Sequence, residues 1–224
     1  MISIPEKTSH ENLPFLRNDN LRIIKYIRYG LVLLVVFFCI ASVSAQLTDR
    51  TAKYRLRALG MNIGEYTVKQ KTVNGDVSVE AITDVKVKII FTYRVKYIHH
   101  SLYRNGSLWS CHVQTIKNDK VNSDRRMERK GETYLLVEDG DSTLIDDTIT
   151  YGGSLIYFLE PGNVPVIYNE RSGVKRPVKK IADHTYILTD EKGNKLNEYE
   201  YKNGVLTRAE LIHPLATIHL ERLM

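Results

Sequence analysis

The sequence predicts a mainly β protein: one long curved antiparallel sheet, a half-barrel or a barrel, with one short helix packed on its concave face. Three observations predict it. Runs of alternating apolar and polar residues, closed by Asn-Gly and similar turns, fill the chain from Lys53 to Leu223. Tyrosine is abundant, with 14 residues set among Val, Ile and Thr, which is a strand composition. A single stretch, 148–168, breaks the pattern. There Tyr151, Leu155, Phe158 and Leu159 recur at helical spacing before Pro161-Gly162 stops the run.

The chain of 224 residues begins with what reads as an export leader, 1–45. Arg22, Lys25 and Arg28 precede the apolar run 31–40, and Val43-Ser44-Ala45 fits a signal-peptidase cut before Gln46. The run is shorter than the ~20 residues a comfortable transmembrane helix needs. Either a cleaved signal or an uncleaved anchor places residues 46–224, expected to be one β domain, in the periplasm or outside the cell. The polar first 20 residues are long for a signal. Phe37-Phe38 before Cys39 are not the small residues of a lipoprotein site. Cys111 is then the one cysteine of the exported part, so no internal disulfide forms there, and it is expected to be a small core residue. The net charge of +6, partly carried by the leader, is far from that of a nucleic-acid binder.

Residues 53–58 alternate, with Tyr54, Leu56 and Ala58 on one face and Lys53, Arg55 and Arg57 on the other. Gly60 to Gly64 reads as a bend or bulge. Asn74-Gly75 predicts a type I′ hairpin that sets Lys69 opposite Glu80, Val68 opposite Ala81 and Tyr66 opposite Thr83. Residues 84–98 read as one continuous strand ~45 Å long, apolar at odd positions from Val85 to Tyr97, which demands strong curvature. Asn105-Gly106 is a second hairpin turn, preferred over its glycosylation-sequon reading. Strands follow at 108–116, 134–137 and 142–145. After the helical stretch a meander runs through 174–181, 184–189, 196–202, 205–212 and 217–223.

Counting back from a two-residue turn at Asn105-Gly106 places His99 opposite His112, Ser101 opposite Ser110 and Tyr97 opposite Gln114 on the core face. Opposed residues have Cβ atoms ~5 Å apart, so two imidazoles there would share a metal or an anion. Two histidines are an incomplete metal set, and one bulge would flip the pattern. Tyr97, His99 and His112 are therefore candidate ligand-binding residues, together with the stripe Tyr151, Leu155, Phe158 and Leu159, read as core or as the lid of an apolar cavity. Asp146-Asp147 before the helix reads as capping. Gly152-Gly153-Ser154 is not a nucleophile elbow, and Gly60 to Gly64 has no phosphate-loop context. No catalytic residue, metal or cofactor is assigned.

The layout resembles a group of secreted bacterial β-proteins known only as domains of unknown function. The residues carrying the resemblance are the leader, the strand broken at Gly60 to Gly64, the run Gly106-Ser107-Leu108-Trp109-Ser110 with Thr115 and Asn122, the 155–161 stretch and the hairpin pair 190–206. Some such proteins are similar in shape to the lipoprotein-carrier (LolA-like) half-barrel, which shields acyl chains. The resemblance implies an envelope protein that binds a lipid-like or other apolar ligand without catalysis. Two alternatives stay open. One is an interaction module meeting an envelope protein or membrane headgroups through Lys86, Lys88, Arg94 and Lys96. The other is a metal-dependent enzyme at the His99/His112 end.

Overall fold

The computed structural model describes residues 49–88, 92–171, 173–213 and 216–223. Eight strands come first: β1 (Arg50–Ala58), β2 (Met61–Val73), β3 (Asp76–Lys88), β4 (Thr92–Arg104), β5 (Ser107–Lys117), β6 (Lys120–Lys130), β7 (Thr133–Glu138) and β8 (Asp141–Asp146). An irregular segment, 147–165, follows. Six more strands complete the chain: β9 (Val166–Asn169), β10 (Val174–Ala182), β11 (Thr185–Thr189), β12 (Lys195–Lys202), β13 (Val205–Leu211) and β14 (Ile218–Leu223).

All fourteen form one antiparallel sheet in the order β8-β7-β6-β5-β4-β3-β2-β1-β14-β13-β12-β11-β10-β9. Each strand pairs its sequence neighbour except at one joint, where β1 pairs β14. The sheet curls without closing: β8 and β9 remain edges, only 6 and 4 residues long. Short edges limit the unpaired backbone on offer.

Local chemistry explains the hairpins. Asn74-Gly75, Asn105-Gly106 and Asn203-Gly204 all hold positive φ at both residues, the conformation whose twist matches the flanking strands. The β2–β3 register is as expected, with Lys69 opposite Glu80 and Tyr66 opposite Thr83. The bend at Gly60 to Gly64 is a bulge: Leu56 pairs Gly64 and Arg57 pairs Asn62, leaving Ile63 extra and buried. Gly64 has φ +154, and a Cβ there would lie 2.3 Å from the Asp84 carbonyl oxygen, so only glycine lets β3 approach.

Two expectations fail here. The strand expected over 84–98 is the hairpin of β3 and β4, with Val85 opposite Val95 and Thr83 opposite Tyr97. These pairs are odd with odd. The reversal therefore keeps the alternation in phase, and periodicity alone cannot reveal it. The helix expected in 148–168 is a single 3-10 turn, Leu155–Tyr157, without a side-chain cap. Ser154 bonds to Glu170 instead of capping the turn, and the end of that stretch is strand β9. The leader (1–45) lies outside the described residues.

Tyrosines build much of the interior. Tyr54 and Tyr134 are wholly buried, and each hydroxyl donates to a backbone carbonyl, of Leu206 (3.1 Å) and Leu108 (2.9 Å). Burying a Tyr contributes its ring area only if the hydroxyl finds such a partner. Cys111 is a buried core thiol, as expected, and burial pushes its pKa up.

Candidate functional site

Segment 147–165 runs through the inside of the curl as a plug. It buries Ile149, Tyr151, Leu155, Ile156 and Phe158. Its start is tied to β5, where the Leu108 N–H donates to the Ile149 carbonyl at 2.7 Å. Its middle is tied to β9: Gly153 N–H donates to Tyr168 O (2.9 Å) and Tyr168 N–H to Tyr151 O (3.0 Å). Its end is held by Glu160, which accepts from Tyr186 Oη (2.7 Å) beside His184 Nδ1 (3.0 Å). Burial and that bond to Glu160 push the Tyr186 hydroxyl up to about 12.

Between the plug and the walls of β1–β5 and β9–β14 lies a cavity of about 930 Å3. Its walls are mainly apolar, with Leu56, Ile63, Tyr66, Leu206 and Leu220 among them. The plug contributes Gly153, Ile156 and Tyr157. Tyr157 stacks edge-on with Tyr66 at 5.2 Å between ring centres and tilts against Tyr54 at 5.8 Å. The space reaches solvent at its exposed lining residues: Leu59 and Met61, where β1 turns into β2, His213 after β13, and Arg171 after β9.

One wall is polar. Glu170, in the β9–β10 turn, is 2% exposed. Its Oε1 accepts three hydrogen bonds: from Ser154 Oγ (2.7 Å), Ser154 N–H (3.2 Å) and Tyr103 Oη (3.0 Å). His99 Nε2 lies 3.9 Å from the same oxygen and 2.8 Å from Ser101 Oγ, while Tyr97 Oη sits 3.4 Å from His99 Nδ1. The arrangement is satisfied with Tyr97 donating to Nδ1 and the proton on Nε2, directed at Ser101 and the carboxylate. Burial is the main cause that lowers the His99 pKa; Glu170 pulls it back up and His100 lowers it further. Gly152 and Gly153 exist for this group. A Cβ on Gly152 would lie 2.3 Å from Glu170 Oε1 and 2.4 Å from Tyr103 Oη, and one on Gly153 would lie 3.1 Å from Glu170 Oε2.

The expected site residues separate. Tyr97 and His99 line the cavity. His112 does not, because β4 and β5 carry a bulge. Arg104 pairs Ser107 and Tyr103 pairs Leu108, but Leu102 pairs Ser110, so Trp109 is the extra residue. From there His99 faces Val113, and His112 faces His100 on the outer face, bonded to Asp124 at 3.0 Å. The alternative of a metal or anion shared between His99 and His112 therefore falls, since the two point to opposite faces of the sheet. Tyr151, Leu155 and Phe158 are packed core outside the cavity lining, and Leu159 is 51% exposed. The residues after Gly153 that do face the cavity, Ile156 and Tyr157, fall off the expected stripe because the segment is not helical. Asp147 caps no helix; it pairs Lys175 at 2.7 Å. Of the basic outer face, Arg94 is engaged by Asp84 at 2.6 Å, which holds the Asp84 carboxyl below its ordinary range.

Glu170 was missed because Asn-Glu-Arg-Ser-Gly reads as an exposed turn. The available signal was Gly152-Gly153, a pair without Cβ atoms beside a Ser.

Comparisons with known proteins give the fold and a family but no activity. No curated protein matches the chain. A solved structure similar to it is the beta-barrel-like protein of domain of unknown function DUF1849 from Brucella abortus. The two share 8% identity with a TM-score of 0.52, over 80% of this chain and 97% of that one. That likeness shows a common barrel-like fold. The profile of the domain of unknown function DUF6134 matches residues 54–223, which is nearly all of the sheet and the plug, and the chain belongs to that family.

Proposed function

We propose that the protein is a non-catalytic binding protein of the cell envelope that holds a lipid-like or other apolar ligand in the space between sheet and plug. The carrying observation is the cavity itself. At about 930 Å3 it is at the upper end of the range of small-molecule sites. A core free to pack would close such a space, because interiors approach crystal density. The polar wall serves orientation: its donors are already spent on Glu170 Oε1 and on His99, so it is a fixed feature rather than a proton relay. The leader pattern at residues 22–45 supports the envelope location. On this reading the protein works as a lipoprotein-carrier-like half-barrel does, with the plug in place of a helix.

The test is native mass spectrometry of the protein purified from the envelope fraction without detergent, followed by solvent extraction. A co-purifying apolar species is the expected result. The paired control is Ala58→Trp, which fills the cavity wall and should lower binding of the neutral dye Nile red at least tenfold. Equal dye binding by both proteins would defeat the reading.

A second reading concerns the mouth. Leu59, Met61 and Ile212 are 69%, 47% and 49% exposed there, an apolar group suited to peripheral contact with a membrane or an envelope partner. Vesicle co-sedimentation of Leu59→Asp, unchanged from wild type, would remove the membrane form of it.

A further inference from the structure

The charges on the cavity are segregated, and that segregation specifies the ligand's head group. The one carboxylate of the lining is Glu170, buried and pinned by Tyr103 and Ser154. The other ionic lining residues are basic: Lys117 at the end of β5, Arg171 beyond β9, and Arg176 on β10. Arg171 is exposed, while Lys117 and Arg176 are half-buried. Among the described residues none of the three has an acidic partner within ion-pair distance. Arg171 instead lies over the Tyr97 ring, 5.9 Å from its centre. Other basic residues of the surface do find carboxylate partners, as in Arg94 with Asp84, Arg208 with Glu200 and Lys195 with Glu198. Three uncompensated cations around an apolar cavity focus a positive potential into its opening.

We propose that the cavity takes a single-chain anionic amphiphile, with its carboxylate or phosphate head held by Lys117, Arg171 and Arg176 and its hydrocarbon chain inside. This rests on the apolar-ligand reading above and adds polarity and orientation to it. The deep Glu170 carboxylate repels an anion, so the head stays with the cations and the tail enters. Size agrees. At roughly 30 Å3 per methylene, the share of liquid volume one water takes, a twelve-carbon chain needs roughly 360 Å3. The space of about 930 Å3 accepts that chain and longer ones.

The test compares two probes of equal chain length, dodecanoate and dodecanol, as competitors of Nile red bound to the full protein at low ionic strength. Dodecanoate should displace the dye at roughly tenfold lower concentration, the size expected when two or three charge-assisted contacts form at a partly exposed site. In K117Q/R171Q/R176Q that preference should vanish while dodecanol binds within about twofold of wild type. The three single variants, each expected to lose roughly two- to threefold for dodecanoate only, carry the test if the triple variant is unstable. Equal displacement by acid and alcohol in wild type, or an acid preference that survives the triple substitution, overturns the head-group assignment and leaves the apolar cavity standing. Displacement by neither probe overturns both.

Discussion

Replacing Gly152 by Ala adds one methyl group and should cost far more than a methyl group usually does. The new Cβ would lie 2.3 Å from Glu170 Oε1, 2.4 Å from Tyr103 Oη and 2.7 Å from Glu170 Cδ. Ordinary contact begins at 3.4 Å, so the carboxylate must retreat by about 1 Å. That retreat stretches the three bonds on Oε1, now 2.7, 3.0 and 3.2 Å. At about 1 kcal/mol for each weakened bond, the loss is about 3 kcal/mol. In a domain of this size it lowers Tm by about 6–12 °C. Urea denaturation followed by tyrosine fluorescence and circular dichroism measures it. The decisive form is a double-mutant cycle with Glu170→Ala. Without the carboxylate the added methyl has space, so Gly152→Ala should then cost less than about 1 kcal/mol, a coupling of about 2 kcal/mol. Two costs that add within about 0.5 kcal/mol would show that Gly152 and Glu170 are not matched, and the reasoning about the polar wall would fall.

Three further outcomes follow from the same geometry. Gly64→Ala sets a Cβ against the Asp84 carbonyl at a backbone position that cannot move without opening the β2–β3 ladder; a loss of at least about 2 kcal/mol is expected, whereas Arg94→Gln, which removes only an exposed ion pair, should leave stability nearly unchanged. Phe158→Ala should cost about 3–5 kcal/mol and Leu159→Ala under about 1, because the first is 5% and the second 51% exposed; similar costs would restore the helical stripe. Stability should fall with pH below 6.5: the unfolded His99 takes up its proton near 6.5, whereas the buried ring, facing Tyr97, Ser101 and Glu170 with His100 next in the chain on the opposite face, resists it until lower pH, so the unfolded state gains. His99→Gln should flatten the stability profile between about pH 7 and 5.5, and a profile that keeps its slope would remove His99 as the cause.

The sheet was legible wherever turn chemistry was explicit. Asn74-Gly75, Asn105-Gly106 and Asn203-Gly204 each name their hairpin, because few other residues accept positive φ twice in succession. The β3–β4 reversal was hidden, since a turn that pairs odd residues with odd leaves the alternation from Val85 to Tyr97 unbroken. The site was half legible. Tyr97 and His99 were placed on the inner face correctly by parity within β4. The error at His112 came from Trp109, one extra residue in β5, which no composition or spacing marks. The plug misled for a different reason. Tyr151, Leu155 and Phe158 are all buried, as a helical stripe would be, but each is held by a tertiary contact, and three residues of 3-10 turn suffice to connect them. Glu170 carried no sign of burial in its own neighbourhood, because its partners lie 16 and 67 residues away, and only the distant Gly152-Gly153 pair marked the space for it.

The unclosed seam between β8 and β9 has a mechanical consequence. In a sealed barrel the bore is fixed by the number of strands and their stagger, and no side chain alters it. A rolled sheet whose margins are joined through the plug, which bonds to β9 at Tyr168 and to Lys175 of β10 through Asp147, has no such constraint. Its radius is whatever its contents prop open, as with a coil of paper around a dowel. Here the dowel is 147–165 together with whatever shares its space, so the calibre of the bore becomes a property of residues in one irregular segment. Lengthening or trimming that segment would regauge the bore while every rung between neighbouring strands stays intact.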